Sequence, residues 1–258
     1  MPFTFSHPVA VLPLVRGLRG RGPLVASALV AGSMAPDLPF FAGAGYRALH
    51  RGHLAHRWWA VPTVDVALAG ALLLGWRAAL REPLLGLLPP QLAGPAATAT
   101  AARGERPHPA AFVLSAAIGA ATHVGLDAFT HRGGPGVRLV PALARPVAGV
   151  PLCTVLQYGG SALALVGLGR HLRGELGRIP PEDRLPVPAA SRPRRAALAA
   201  AAVLGSARHL YRSPRTGLDH RIADACFGAG AGLTAGAAAL TLADRLTARA
   251  RYRPEAFG

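Results

Sequence analysis

Residues 110–131 read AAFVLSAAIGAATHVGLDAFTH. From Ala110 to about Phe129 nearly every side chain is apolar or small, and a helix of that length crosses the roughly 30 Å of hydrocarbon in a bilayer. The second half of the stretch departs from the pattern. His123, Asp127 and His131 follow one another at steps of four. Each such step on an α-helix turns by about 40° and rises about 6 Å, so all three side chains share a face. His123 and His131 would then stand about 12 Å apart along the axis, too far to bind one ion together. Adjacent members of the series can share an ion, and Asp127 could bridge two. A polar stripe packed against another helix, with plain His–Asp hydrogen bonds, fits the same spacing. Ionisable groups inside an apolar helix are costly, which favours a functional reason for keeping them.

Four further apolar stretches lie outward from this one. Val61 to Leu80 carries Asp65 near its start and Trp76-Arg77 near its end. Val147 to Leu168 includes Gln157, Tyr158 and Gly159-Gly160. Ala196 to Leu210 is nearly all alanine, and Ile222 to Leu242 is rich in the small residues that let helices approach closely. Upstream, Leu24 to Ala35 predicts a helix too short to span. It should stop at Pro36-Asp37, because the residue before proline avoids the helical region. Leu38 to Phe41 extends that apolar stretch toward a re-entrant or interfacial helix. Gly43 to Trp59 is polar, and its Trp58-Trp59 pair suits a membrane interface. Pro89 to Pro109 reads as a flexible linker, and Gly133-Gly134 ends the span before it. The expectation is an all-α, polytopic transmembrane helical bundle of about five spans with a short N-terminal helix, in the cell membrane. Its divisions are 1–170 for the membrane domain with the candidate site, 171–195 for a basic loop, and 196–258 for apolar helices and a basic tail ending in Arg245, Arg249, Arg251 and Arg253.

Composition agrees. Of 258 residues, 51% are hydrophobic and 16% charged, against about 25% charged in an ordinary soluble domain. Mean hydropathy is +0.32, which excludes a disordered chain. The chain has no Lys and no Asn and is rich in Ala, Arg, Gly and Pro. Alanine therefore inflates the apolar score, and Leu, Val, Ile and Phe content decides which segments can span. The net charge of +16 is carried entirely by Arg scattered between apolar runs. That arrangement suits the bilayer and its anionic lipid headgroups, and not nucleic acid. Arg-rich loops on both sides of the alanine segment leave the orientation open. Cys153 and Cys226 sit inside apolar runs without metal-type spacing; they read as packing residues and exclude a disulfide framework. No basic region precedes an apolar core at the N-terminus, so a cleavable signal peptide is not expected. Walker, dinucleotide and nucleophile-elbow patterns are missing.

Other candidates are isolated. Asp37 could be a ligand or a turn residue. His7, in Ser6-His7-Pro8, is a lone histidine near a terminus. His50, His53 and His56 fall at steps of three, so one could be a ligand, or all could belong to an interfacial basic face with Arg51 and Arg57. His108, His171, His209 and His220 read as surface residues, with Asp219-His220 a weak further candidate.

Three ordered motifs resemble those of a family of bacterial multi-pass membrane proteins known only as a domain of unknown function (DUF4184). They are Met-Pro-Phe-Thr-x-Ser-His-Pro at Met1 to Pro8, Gly-Ser-Met-x-Pro-Asp at Gly32 to Asp37, and Gly-Ala-Ala-Thr-His-x-x-x-Asp-x-x-Thr-His at Gly119 to His131. Leu156-Gln157-Tyr158-Gly159 also fits. The resemblance covers about residues 1–170 and beyond that only hydropathy. One element departs: the family carries Thr/Ser-His-Ser before the first long span, and here Leu54-Ala55-His56-Arg57 keeps the histidine without either hydroxyl. The family is in turn similar to membrane-bound metal-dependent hydrolases and, more distantly, to the zinc phospholipase C and nuclease group. That resemblance implies a ligand set of His7, Asp37, His56, His123 and Asp127, with His131 as a further member. It also implies a divalent ion, zinc by the mixture of imidazole and carboxylate, and hydrolysis of an ester or phosphoester by an activated water. Against this stand a non-catalytic membrane protein with a structural metal or packed polar residues, and a transporter with His123 and Asp127 as a proton or metal relay.

Overall fold

The computed structural model describes residues 3–43, 45–101 and 107–251. Met1, Pro2, Arg253 and residues 102–106 of the expected linker lie outside it. The fold is nearly all α. A 3-10 helix, Thr4–Leu14, leads into a small hairpin of β1 (Val15–Arg16) and β2 (Arg19–Gly20). Helix α1 (Ala26–Met34) runs through a 3-10 turn, Ala35–Asp37, into α2 (Leu38–Phe41). Then come α3 (Tyr46–Ala55), α4 (Val64–Gly75), a π-helical stretch Trp76–Leu80, α5 (Arg81–Leu85) and α6 (Pro90–Thr100). Helices α7 (Pro109–Thr130) and α8 (Pro135–Leu139) precede a second hairpin, β3 (Pro146–Val147) with β4 (Val150–Pro151). The chain ends with α9 (Leu152–Gly177), α10 (Arg192–Arg212) and α11 (Leu218–Arg251).

Among the described residues three helices are long and apolar enough to cross a membrane: Pro109–Thr130, Leu152–Gly177 and Leu218–Ala250. The other two expected spans do not meet that measure. Helix α4 has 12 residues before the π-helical stretch interrupts it. Helix α10 owes its apolar look to alanine and carries Arg192, Arg194, Arg195, Arg208 and Arg212. The α-helix stops at Met34, next to the expected Pro36-Asp37 break, but not for the expected reason, and one further local expectation fails. The chain does not leave the helical region before Pro36: Ala35 has φ −57° and ψ −43°, because a proline in the first turn of a new 3-10 segment has no N–H to lose. The supposed linker contains α6, with Pro95 inside it.

The described residues fall into two compact units, one within Met1–Leu73 and Ala102–Ile179, the other within Leu74–Ala101 and Pro180–Gly258. In the first, α1 crosses α7 at glycine. A Cβ on Gly32 would lie 2.1 Å from the Ala116 carbonyl oxygen, and one on Gly119 2.2 Å from that of Leu29, so the two backbones touch. Small residues permit that approach, and Ala28, Ala31, Ala35, Ala69 and Ala116 form the buried core around it. One turn further along α7, Ala120 and Val124 pack with Val61. The N-terminal 3-10 helix packs on α1, α7 and α9.

In the second unit α10 and α11 form an antiparallel hairpin with a similar crossing. A Cβ on Gly205 would lie 2.1 Å from the Gly228 oxygen, and one on Gly232 1.9 Å from the Ala201 oxygen. Leu80, Leu198 and Ala237 form its apolar core. Arg215 pairs with Asp224, which is 1% exposed. His209, expected at the surface, is buried: it sits in the last turns of α10 on the side turned into the unit, where a loop-like neighbourhood of Arg and Tyr gave no hint of burial.

Candidate metal centre

The α1–α7 crossing sets the first member of the site. Gly119 lies one turn before His123, and Gly32 immediately precedes Ser33. Bringing the two backbones together places the Ser33 carbonyl oxygen 2.7 Å from His123 Nδ1. Ser33 is in the last turn of α1, where helix carbonyls run out of intrahelical donors. A carbonyl can only accept, so Nδ1 carries the proton and Nε2 keeps its lone pair. His56 is handled in the same way. It caps the C-terminus of α3, and its Nδ1 donates to the Gly52 carbonyl at 2.8 Å. The ring is thus oriented by its own helix, without the flanking hydroxyls that the resemblance led one to expect.

The two free Nε2 atoms face each other at 3.2 Å. From His123 Nε2, Asp37 Oδ1 is 3.6 Å away and Asp127 Oδ2 3.5 Å; from His56 Nε2, each of these oxygens is 3.5 Å away. Ligand atoms on a tetrahedral zinc, each about 2.1 Å from the ion, are about 3.4 Å apart. Two lone pairs and two carboxylates do not converge at such distances without a cation or a proton among them. Asp37 is held by a hydrogen bond from Thr4 Oγ1 to its other oxygen, at 2.6 Å.

The second oxygen of Asp127 looks elsewhere. Asp127 Oδ1 is 3.7 Å from His7 Nε2 and 3.5 Å from His131 Nδ1. The His7 ring stacks on that of His123, with centroids 3.5 Å apart and planes 10° from parallel. Both His7 ring nitrogens are buried without a hydrogen-bond partner, a costly state for an imidazole with nothing to bind. Helix α7 ends at Thr130, and His131 turns back so that Nδ1 also meets the Asp127 carbonyl at 3.3 Å. Gln157 of α9 holds its other nitrogen at 3.0 Å.

Two triads bring one ligand atom per residue within 4.8 Å of one another: His7–His123–Asp127 and Asp37–His56–His123. They share His123, whose one free lone pair serves a single ion. The charges suit such an ion. Burial, then the neighbouring His123, pushes His7 down to about 3, so it is a neutral donor. Burial opposes ionisation of Asp37, but His123 and His56 hold it well below the usual carboxylate range. Burial also works against a proton on His56, yet Asp127 and Asp37 push it up to about 10. His131 is lowered by burial, with Asp127 opposing. Side-chain exposure runs from 0% at His7 and His123, through 8% at Asp37 and 12% at Asp127, to 22% at His56 and 44% at His131. The cluster therefore opens on the side of His56 and His131.

All six candidates from the sequence meet in this one cluster. His50 and His53 do not join; both are exposed, and His53 lies edge-on to Phe40. His108 and His220 lie at the surface, as expected. The partners that orient the ligands were not legible: the Ser33 and Gly52 carbonyls leave no trace in side-chain identity, and Thr4 stood unremarked inside the first motif. Asp65 is fully buried with neither oxygen hydrogen-bonded; its place at the start of an apolar run was the available signal. The two triads, an imidazole with unmet nitrogens and two opposed Nε2 atoms fit a divalent ion that displaces the proton on His56.

No curated protein and no solved structure matches the chain, so the expected likeness to metal-dependent hydrolases and to the zinc phospholipase C and nuclease group gains no support from them. Residues 1–242 match the family described as Domain of unknown function (DUF4184), and with most of its length matched the chain belongs to that family.

Proposed function

We propose that the protein is an integral hydrolase of the cell membrane that works with a divalent ion, zinc by its donor set, on an ester or phosphoester. The observation that carries this reading is the 3.2 Å approach of two imidazole nitrogens whose other nitrogens are both committed to carbonyls. When bound, the ion supplies Lewis acidity and a water that ionises near neutral pH. The chain supplies the rest. His56 and His123 offer nitrogen, and Asp37 and Asp127 oxygen, while His7 and His131 flank the second oxygen of Asp127. Substrate enters from the exposed His56–His131 side. That side is the C-terminal end of α7, with Asp127 about 5 Å along the axis from the last residue, Thr130. Trp58 and Trp59, both more than half exposed, stand at the same level, Trp58 beside Gly125. A bilayer face with lipid-like substrates follows from that level. In this reading α4 with its π-helical continuation and α10, whose terminal arginines snorkel, complete five spans, and the Arg-rich loops meet anionic lipid headgroups.

Metal analysis of the detergent-purified protein tests it. At least one equivalent of zinc is expected in the wild type and none in a folded Asp127→Ala variant. Unchanged metal content after that substitution would remove the site. A second reading also has an observation behind it: the same separation suits a proton held between the two rings, which would make the cluster a relay in a transporter. Proton-coupled uptake into liposomes, without turnover of esters, would select that reading.

A further inference from the structure

Resting on the hydrolase reading above, we propose that Arg132, braced by Thr154, selects a phosphate ester as the substrate of the centre. Arg132 follows His131 directly, on the open side of the cluster, and its own side chain is exposed. Its Nε donates to Thr154 Oγ1 at 3.1 Å. Thr154 is buried in the first turn of α9, and Gln157, three residues on, holds His131. One face of α9 thus steadies two consecutive residues at the mouth, and a site carried on a rigid helix keeps its geometry.

A guanidinium has five N–H donors, and this bond uses one. The two terminal amino groups remain for a ligand. Three other arginines are matched by acids, Arg178 by Glu175, Arg194 by Asp244 and Arg215 by Asp224, whereas Arg132 is held by a neutral hydroxyl that leaves its charge unanswered. Among the described residues no ion pair involves Arg132. The charges of the centre point the same way. One divalent ion balances Asp37 and Asp127, leaving the guanidinium as a positive charge at the mouth without a counter-ion. A carboxylic ester brings nothing to answer it. A phosphate ester keeps negative charge on the group being attacked, and the planar fork of arginine matches phosphate oxygens in pairs.

The test measures binding of inorganic phosphate to the full chain in detergent by calorimetry, zinc-loaded and metal-free, with acetate as control. Wild type should bind phosphate and ignore acetate. Arg132→Gln should weaken phosphate binding by about tenfold or more. Arg132→Lys should retain part of it, because a point charge replaces the fork, and Thr154→Val should fall between Lys and wild type. Zinc content should be the same in all four. Wild-type phosphate affinity in Arg132→Gln, or equal binding of acetate, overturns the proposal. A wild type that binds no zinc overturns the hydrolase reading instead, and the metal-free phosphate series still decides the role of Arg132. Turnover then separates the sources of phosphate. Phosphatidic acid in vesicles and para-nitrophenyl phosphate in solution are compared, with para-nitrophenyl acetate alongside. Preference for either phosphate supports the assignment, and turnover of the acetate ester alone rejects it.

Discussion

The α1–α7 crossing and the α10–α11 hairpin use one packing device and carry different loads. In each, glycine brings two helix backbones into contact. In each, a histidine follows the glycine by four residues, Gly119 before His123 and Gly205 before His209, and both histidines are buried. Each unit also buries a carboxylate. In the second unit Asp224 is answered from within the chain by Arg215. In the first, the ring nitrogens of His56 and His123 lie within 3.6 Å of Asp37 and Asp127, and no salt bridge to an arginine is found there among the described residues. Helix packing is therefore not what marks the site. A carboxylate with a resident guanidinium has its counter-charge within the chain, whereas the carboxylates gathered among imidazoles are answered by the proton on His56 or by a cation that displaces it.

The sharpest break between the two comes from removing one charged group in each. Asp127→Ala should abolish zinc binding outright, read as metal stoichiometry after purification. Arg215→Ala should leave stoichiometry untouched while lowering stability by about 3 kcal/mol, since it strands a buried carboxylate; thermal unfolding in detergent reads that. If Arg215→Ala removed metal as well, the units would not be separable in this way.

Overpacking the crossings comes next. Gly119→Leu and Gly232→Leu each push a side chain into a carbonyl about 2 Å from the Cβ position, and each should cost about 2–3 kcal/mol. Only Gly119→Leu should also lose zinc, because it moves Ser33 away from His123. Equal zinc content in the two variants would mean that the Ser33 hydrogen bond does not orient the ligand.

Smaller effects should sharpen the contrast within the first unit. Gln157→Leu keeps every proposed ligand but frees His131, and should weaken zinc affinity about 10–100-fold with little change in the unfolding midpoint. The proton on His56 offers a finer probe. Its pKa is raised from 6.5 to about 10 by Asp127 and Asp37, against burial. The stability it contributes to metal-free protein is thus whole below pH 6.5 and is lost as pH rises through about 10. Zinc must displace that proton, so binding at pH 8 should release close to one proton per ion from this residue. His56→Gln should show no such release in a weakly buffered titration, and an undiminished release would assign the proton elsewhere.

Much of this was readable in residue order. The shared face of His123 and Asp127 follows from helical periodicity alone, and the apolar lengths of α7, α9 and α11 from composition. Those are local properties, carried by each helix whatever it packs against. Asp37, His7 and His56 could be named only through the resemblance of their motifs, because nothing nearby distinguishes a ligand from a turn residue or a basic surface. The fold supplies the reason that His56 and not His50 or His53 joins the cluster: it ends α3, and its Nε2 meets that of His123. Composition misled where proline, alanine and glycine read as a flexible linker and residues 90–100 form α6 instead. Tertiary structure alone decided which donors meet. His123 owes its tautomer to a carbonyl 90 residues away in sequence, His209 its burial to the packing of its unit, and Asp224 its ion-pair partner to the placing of Arg215. Periodicity tells which way a side chain leaves its helix; only the approach of distant backbones determines what it finds there, because that distance is set by packing and not by neighbours along the chain.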